Sequence, residues 1–181
     1  TTLADIPAGT GLGSSGSFTT ALLKALYAHR RRLLHPDELA ELACDIEINR
    51  LGEPVGKQDQ YISAYGYVTA LTIDTTGAVS VEPVPVSPQA LDELERNLLI
   101  AYTGIERPAR TVLSEQTDRV QKGERDSLER MHQIQQIGRE VYRLLVRGTI
   151  DEYGELLHEH WTRKRGLASA VSDPRLDEYY E

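Results

Sequence analysis

Cysteine, methionine, tryptophan and phenylalanine occur once each in 181 residues, as Cys44, Met131, Trp161 and Phe18. A lone cysteine excludes an internal disulfide framework and fits a reducing compartment. Set in an apolar helical pattern, Cys44 reads as a small core residue. No apolar run approaches the roughly 20 residues that span a bilayer, and no secretory leader pattern is visible. Positive charge is also scarce: 20 Lys+Arg against 28 Asp+Glu give a formal net charge of −8. That balance disfavours a general nucleic-acid-binding role but leaves room for a local basic site. A cytoplasmic protein with no membrane and no nucleic-acid partner is expected. No fixed-period repeat or low-complexity tract is present. The chain begins at Thr1 and stops at Tyr179-Tyr180-Glu181, inside an acidic, helix-like run, and reads as a piece of a longer one.

Glycine, by contrast, is concentrated where it matters. Pro7-Ala8-Gly9-Thr10-Gly11-Leu12-Gly13-Ser14-Ser15-Gly16-Ser17 alternates three glycines with other residues and then runs into an apolar helical pattern. Glycine permits positive φ and lets a ligand approach bare backbone. A loop of this kind feeding a helix N-terminus is an anion cradle, usually for phosphate; a tight loop with a serine cap is the alternative. The Walker A pattern is absent, because Ser14 stands where it requires lysine, and the dinucleotide fingerprint spacing is absent as well. A phosphate here would depend on backbone N–H groups, with serine hydroxyls reaching phosphate or magnesium.

Periodicity then orders the chain. Thr1 to Ile6 reads as a strand end feeding the loop. Helix follows from about Ser15 to Arg31, and a second helix opens at Pro36 and closes at Gly52. Its buried face is predicted at Leu39, Leu42, Ala43 and Ile46, with Glu47 beside it. Gly52-Glu53-Pro54-Val55-Gly56-Lys57-Gln58-Asp59-Gln60-Tyr61 is a loop in which Asp59 could cap a short helix. A hairpin follows, with strands through Val68–Ile73 and Val79–Val86 around an Asp74-Thr75-Thr76-Gly77 turn. Pro88–Arg96 is a short helix, and Leu98–Tyr102 reads as a buried strand. The remainder is helical, with Leu128, Met131, Ile134, Val141 and Leu145 facing inward on the longest helix. The class is α+β rather than doubly wound, with a boundary near Pro83–Pro88.

Two other clusters carry possible chemistry. His158-Glu159-His160 does not chelate a metal through both rings, because residues two apart on a helix face different ways. Arg163-Lys164-Arg165 is a basic helix end. Gly104, Arg107 and Arg110 lie in a strand-end loop, where an arginine could fork a phosphate.

Together these residues resemble the GHMP kinases, small-molecule kinases acting on galactose, homoserine, mevalonate and related substrates. Pro7 to Gly16 matches the family's central P-x-x-x-G-L-G-S-S motif, and Gly56-Lys57-Gln58-Asp59-Gln60 is similar to the galactokinase G-x-x-D-Q segment. Further likeness, to bacterial sugar kinases acting on heptose 7-phosphate, rests on Val55–Tyr61, Tyr102–Arg107, His158–Arg165 and Ser172–Asp177. The resemblance implies a GHMP kinase-like fold with a ribosomal protein S5 domain 2-like part and a helical, ferredoxin-like C-terminal part, incomplete at both ends. It divides the chain into residues 1–86, part of an ATP-binding N-terminal domain, and residues 87–181, part of a C-terminal domain. The family's N-terminal motif and second glycine-rich motif lie outside this stretch, and Tyr67 stands where such kinases often carry a glycine.

The implied activity is ATP-dependent phosphorylation of the anomeric hydroxyl of a heptose 7-phosphate. Pro7, Gly9, Gly11, Leu12, Gly13, Ser14, Ser15 and Gly16 would bind the nucleotide. Ser15 and Glu47 would place Mg²⁺, and Asp59 would be the catalytic proton acceptor. Lys57, Arg107, Lys164 and Arg165 would hold the sugar phosphate. A kinase acting on fucose, galactose or an N-acetylhexosamine, and a catalytically dead GHMP-fold module, are the alternatives. A homodimer is left open.

Overall fold

The computed structural model describes residues 11–104, 109–168, 171–172 and 174–180. They fall into two compact units. The first holds the residues through Glu82 together with Ala109 and Arg110; the second holds Pro83–Gly104 and the residues from Thr111 onward. The strand end expected before the glycine loop lies outside the described residues.

In the first unit, helix α1 (Ser14–His29) starts directly at Gly13, whose left-handed backbone (φ 68°, ψ 27°) turns the loop into the helix. Helix α2 (Pro36–Cys44) has proline at its first position. Its cap is reciprocal: the His35 ring accepts from the Asp37 N–H, and the Glu38 carboxylate accepts from the His35 N–H, each at 3.3 Å. Such caps satisfy donors that the helix leaves open. The helix does not continue regularly to Gly52 as periodicity suggests. Asp45–Arg50 widens into a π-helical turn, with Leu51 N–H bonded to the Ile46 carbonyl five residues back, at 2.9 Å. Across that turn Asp45 accepts from Asn49 at 3.0 Å and Arg50 at 2.8 Å. π-Turns are rare and concentrate at functional sites. Here the inward face becomes Leu39, Ala40, Ala43, Cys44 and Glu47, so the acid lies in the buried face rather than beside it.

Helix α3 (Gln58–Tyr65) packs on both α1 and α2. Ala40, Cys44 and Tyr61 form the core cluster, with Ile48, Ala64, Tyr65, Leu71, Val79 and Val81 against it. The last three come from the hairpin of β1 (Thr69–Ile73) and β2 (Val79–Pro83). Its turn is held by the Asp74 carboxylate, which accepts from Thr76 N–H at 2.7 Å, Thr76 Oγ1 at 2.6 Å and Ala78 N–H at 3.0 Å. β2 ends at Pro83 rather than reaching Val86, since Pro83 and Pro85 offer no N–H to a ladder.

The regular elements described in the second unit are helices: α4 (Pro88–Asn97), α5 (Ala109–Gln121, past its first two residues), α6 (Arg125–Arg147), α7 (Tyr153–Arg165) and α8 (Pro174–Tyr180). Ser87 caps α4 by accepting from Ala90 N–H at 3.1 Å. The buried residues include Ala90, Ile137, Leu144, Leu145, Ile150, Leu167, Ala168 and Val171. Two expectations change. Leu98–Tyr102 forms no strand among the described residues, and Leu99 and Ile100 are 91% and 84% exposed. On α6 the inward face runs through Ser127, Ile137, Leu144 and Leu145, which leaves Leu128 and Met131 exposed.

Candidate phosphate and metal site

The N-terminus of α1 is left open. Gly13 occupies the cap position and supplies no side chain, no other side chain among the described residues caps the turn, and the first turn contains no acid. The expected serine cap is therefore not formed. A helix leaves its first four N–H groups without partners in the helix, and the dipole adds positive potential there. These are the features an anion needs.

Asp59 lies against that end. A Cβ built on Gly13 would sit 3.4 Å from both Cγ and Oδ2 of Asp59. One built on Gly16 would come within 3.1 Å of the Asp59 carbonyl carbon and Cβ. Gly16 thus lets the first turn of α1 and the first turn of α3 approach closely, while Gly13 brings the turn into ordinary contact with the Asp59 carboxylate. Asp59 does not cap α3; Lys57 occupies the cap position, without a side-chain bond. Ser63 secures the turn by donating to the Asp59 carbonyl at 2.6 Å, and it shares a 3.1 Å hydrogen bond with Ser17 of α1.

Glu47 is 3% exposed, yet no basic residue among those described pairs with it. Two neutral donors converge on one of its oxygens: Ser15 Oγ at 3.1 Å and Gln60 Nε2 at 3.0 Å, both to Oε2. Its Oε1 is buried without a hydrogen-bond partner. A buried carboxylate lacking both a counter-charge and a donor on one oxygen is costly unless a cation compensates it. The residues therefore fit Mg²⁺, which takes one or two protein oxygens and leaves its other positions to water and phosphate.

The first 67 residues match the family model described as the GHMP kinases N terminal domain. Over that stretch the chain is similar to the GHMP kinases. Beyond that match, it is 29% identical over 180 residues, 99% of its length and 52% of the relative's, to the D-glycero-alpha-D-manno-heptose 7-phosphate kinase of Campylobacter jejuni. It is also 29% identical over 99% of its length to the bifunctional fucokinase/GDP-fucose pyrophosphorylase of Arabidopsis thaliana, covering 17% of that protein. Among solved structures, a D-glycero-D-manno-heptose 1-phosphate kinase from Bacteroides thetaiotaomicron superposes with a TM-score of 0.71 at 28% identity, over 89% of this chain and 46% of that one. The chain spans about half the length of the two heptose kinases and a smaller part of the bifunctional fucokinase.

Within the matched residues, Gly11, Leu12, Gly13, Ser14, Ser15 and Gly16 belong to one loop and helix start, with Glu47 and Asp59 in contact with it. Pro7, Gly9 and Arg107 lie outside the described residues. Lys57 is engaged elsewhere: its Nζ donates to both Glu41 oxygens, at 2.8 and 3.1 Å, and Tyr61 OH donates to Glu41 Oε1 at 2.5 Å. Burial pushes the Glu41 carboxyl upward, but those bonds and the Lys57 charge outweigh it and hold the acid below its ordinary range. Burial, with Glu41 nearby, raises the Cys44 thiol to about 11, so this cysteine is an inert core residue. Arg110 donates to the Gly52 carbonyl at 3.3 Å and pairs with Glu53 at 3.7 Å, steadying the loop that leads to Asp59.

In the second unit, Lys164 is exposed, and Arg165 pairs with Asp177 at 3.2 Å while lying 5.9 Å above the Trp161 ring. His158 and His160 do not converge: His158 Nδ1 meets Tyr180 OH at 2.8 Å, and His160 lies half-buried near the Lys164 charge. Sequence reasoning passed over Gln60 and Glu41. Gln60 follows Asp59 directly in the quoted motif, so the motif itself was the available signal. Glu41 had none, because its role depends on the α2–α3 contact.

Proposed function

We propose that the protein containing this chain is an ATP-dependent sugar kinase that phosphorylates the anomeric hydroxyl of a heptose 7-phosphate to give the 1,7-bisphosphate. Residues 1–86 would belong to its nucleotide-binding domain and residues 87–181 to its C-terminal domain. The observation that carries the reading is the contact of Asp59 with the N-terminus of α1, where Gly13 turns the chain at φ 68° and Gly16 lies so close to Asp59 that a Cβ would be crowded at 3.1 Å.

Phosphoryl transfer asks mainly for positioning and charge neutralisation. The glycine loop and the first N–H groups of α1 bind the ATP phosphates. Mg²⁺, when bound, offsets phosphate charge, and Ser15 and Glu47 are the residues that would hold it. Asp59 accepts the proton of the sugar hydroxyl as that oxygen bonds to the γ-phosphorus. The bond from phosphorus to the β,γ-bridging oxygen breaks and ADP leaves. An anomeric hydroxyl is more acidic than an ordinary alcohol, so a carboxylate suffices as base. Lys57, Arg107, Lys164 and Arg165 remain the candidates for the distal phosphate; Lys57 would exchange Glu41 for it. The cytoplasm, where ATP is abundant, is the expected compartment.

The similarity to a fucokinase, as extensive over this chain as that to the heptose 7-phosphate kinase, favours one second reading: a kinase for an unphosphorylated deoxy sugar. The test is Asp59→Asn in the complete protein, assayed with heptose 7-phosphate and with fucose. We expect turnover on the heptose phosphate to fall about a hundredfold or more, with nucleotide binding retained. Near-normal turnover removes Asp59 from the base role, and wild-type turnover on fucose alone replaces the substrate assignment.

A further inference from the structure

Gln60 holds Glu47 with one of its oxygens open. Gln60 is 1% exposed, among the most completely buried side chains described, and it is neither apolar nor part of the hydrophobic cluster. Its amide nitrogen donates to Glu47 Oε2 at 3.0 Å. Its own carbonyl oxygen, like Glu47 Oε1, is buried with no partner. The amide is oriented with its NH₂ end, the donor, toward the carboxylate oxygen that accepts. The residue therefore stabilises the carboxylate and leaves two buried acceptors unsatisfied. A side chain kept only for packing would not be expected to leave an amide oxygen stranded, since an unsatisfied buried acceptor is costly.

We propose that Gln60 is a positioning residue for a divalent cation: it ties Glu47 Oε2 so that Oε1 is presented to the metal. This rests on the kinase reading above. The chemistry favours an amide at this place. Lysine or arginine would supply a donor but would cancel the charge of Glu47, and methionine would fill the space with no donor. Glutamine holds the carboxylate and leaves its charge to the cation. The π-helical turn on which Glu47 sits and the first turn of α3 on which Gln60 sits are thereby coupled, and Asp59 is the residue just before Gln60 in that turn. The base and the metal-holding acid are thus set by neighbouring residues of one helix end. Partners that orient a metal-binding side chain typically change affinity 10–100-fold when removed.

The experiment uses the complete protein with ADP and Mn²⁺ as the probe, bound Mn²⁺ being counted by electron paramagnetic resonance. Gln60→Met should weaken Mn²⁺ binding about tenfold or more and raise by a similar factor the Mg²⁺ concentration giving half-maximal turnover. Lower turnover or melting temperature with unchanged Mn²⁺ affinity would overturn the proposal, since it would make Gln60 purely structural. Wild-type protein that binds no Mn²⁺ in the presence of ADP overturns the kinase reading itself, and this proposal with it. Should the variant not fold, the wild-type protein serves. The side-chain amide resonances of Gln60 should move when Mg²⁺ is added to the ADP complex, and resonances that stay fixed overturn the proposal.

Discussion

Tyr67 holds a left-handed backbone, φ 56°, immediately after Gly66 at φ 72°. Its ring is 97% exposed and rests on nothing that would compensate the strain. Left-handed backbone costs a residue with a Cβ roughly 1–2 kcal/mol, whereas glycine adopts it freely. Part of that gain is lost because glycine gives the unfolded chain more freedom. Tyr67→Gly should therefore raise stability by about 0.5–1 kcal/mol, measured as a higher denaturant midpoint at unchanged slope. An unchanged or lower midpoint would show that the exposed ring contributes something the strain argument omits. The resemblance to GHMP kinases already marked this position as one where glycine is common; the positive φ supplies the physical reason. Gly16 is the converse. Its place in the motif was plain from the sequence, but its reason, the 3.1 Å approach to the Asp59 backbone, required the α1–α3 packing.

Among the helices, α7 shows how one element serves opposed surroundings. His158 stacks on Tyr180 of α8 at 5.7 Å between ring centroids, while His160, two residues on, lies half-buried. Burial, and then the Lys164 charge, push the His160 pKa below its ordinary 6.5. The folded state thus favours the neutral ring, and below about pH 6.5 the unfolded chain binds more protons than the folded one. Stability from this group is complete above that pH and is lost as the pH falls through the folded pKa. The melting temperature should drop between pH 7 and pH 5, and His160→Gln should make the drop shallower. Parallel curves for the two proteins would mean that His160 titrates alike in both states. The separation of the two rings was legible from helical spacing alone. The burial of His160 was legible only as part of an apolar stripe, none of whose residues is fully buried on α7. Similarly, the length of α6 was readable from its period, but its inward face was not: a 23-residue helix has several apolar rows, and its neighbours select one.

At the scale of the whole molecule, the residues that define the candidate site were legible because motif chemistry is local: a glycine loop, a serine pair, an acid one turn into a helix. Leu98–Tyr102 was misread because strand patterning reports what a segment can bury, and whether it does so depends on a partner strand elsewhere. Leu99 and Ile100 stay 91% and 84% exposed, and on α1 Phe18, Leu22 and Leu26, spaced at i, i+4 and i+8, are 44%, 41% and 54% exposed. Large exposed apolar groups in runs or stripes mark surfaces that other protein covers. An extended apolar segment also presents backbone groups that can pair with another chain. The chain meanwhile spans only 52% of the heptose 7-phosphate kinase it matches. Expressed by itself, the 181-residue chain should therefore self-associate as its concentration rises and should bind an apolar fluorescent dye. Replacing Leu99 and Ile100 together by lysine should reduce both effects without changing the helical circular dichroism, because neither side chain is in a core. Sedimentation of the unmodified chain as a single monomer, with no dye bound, would show that these side chains are tolerated singly in water and form no adhesive surface.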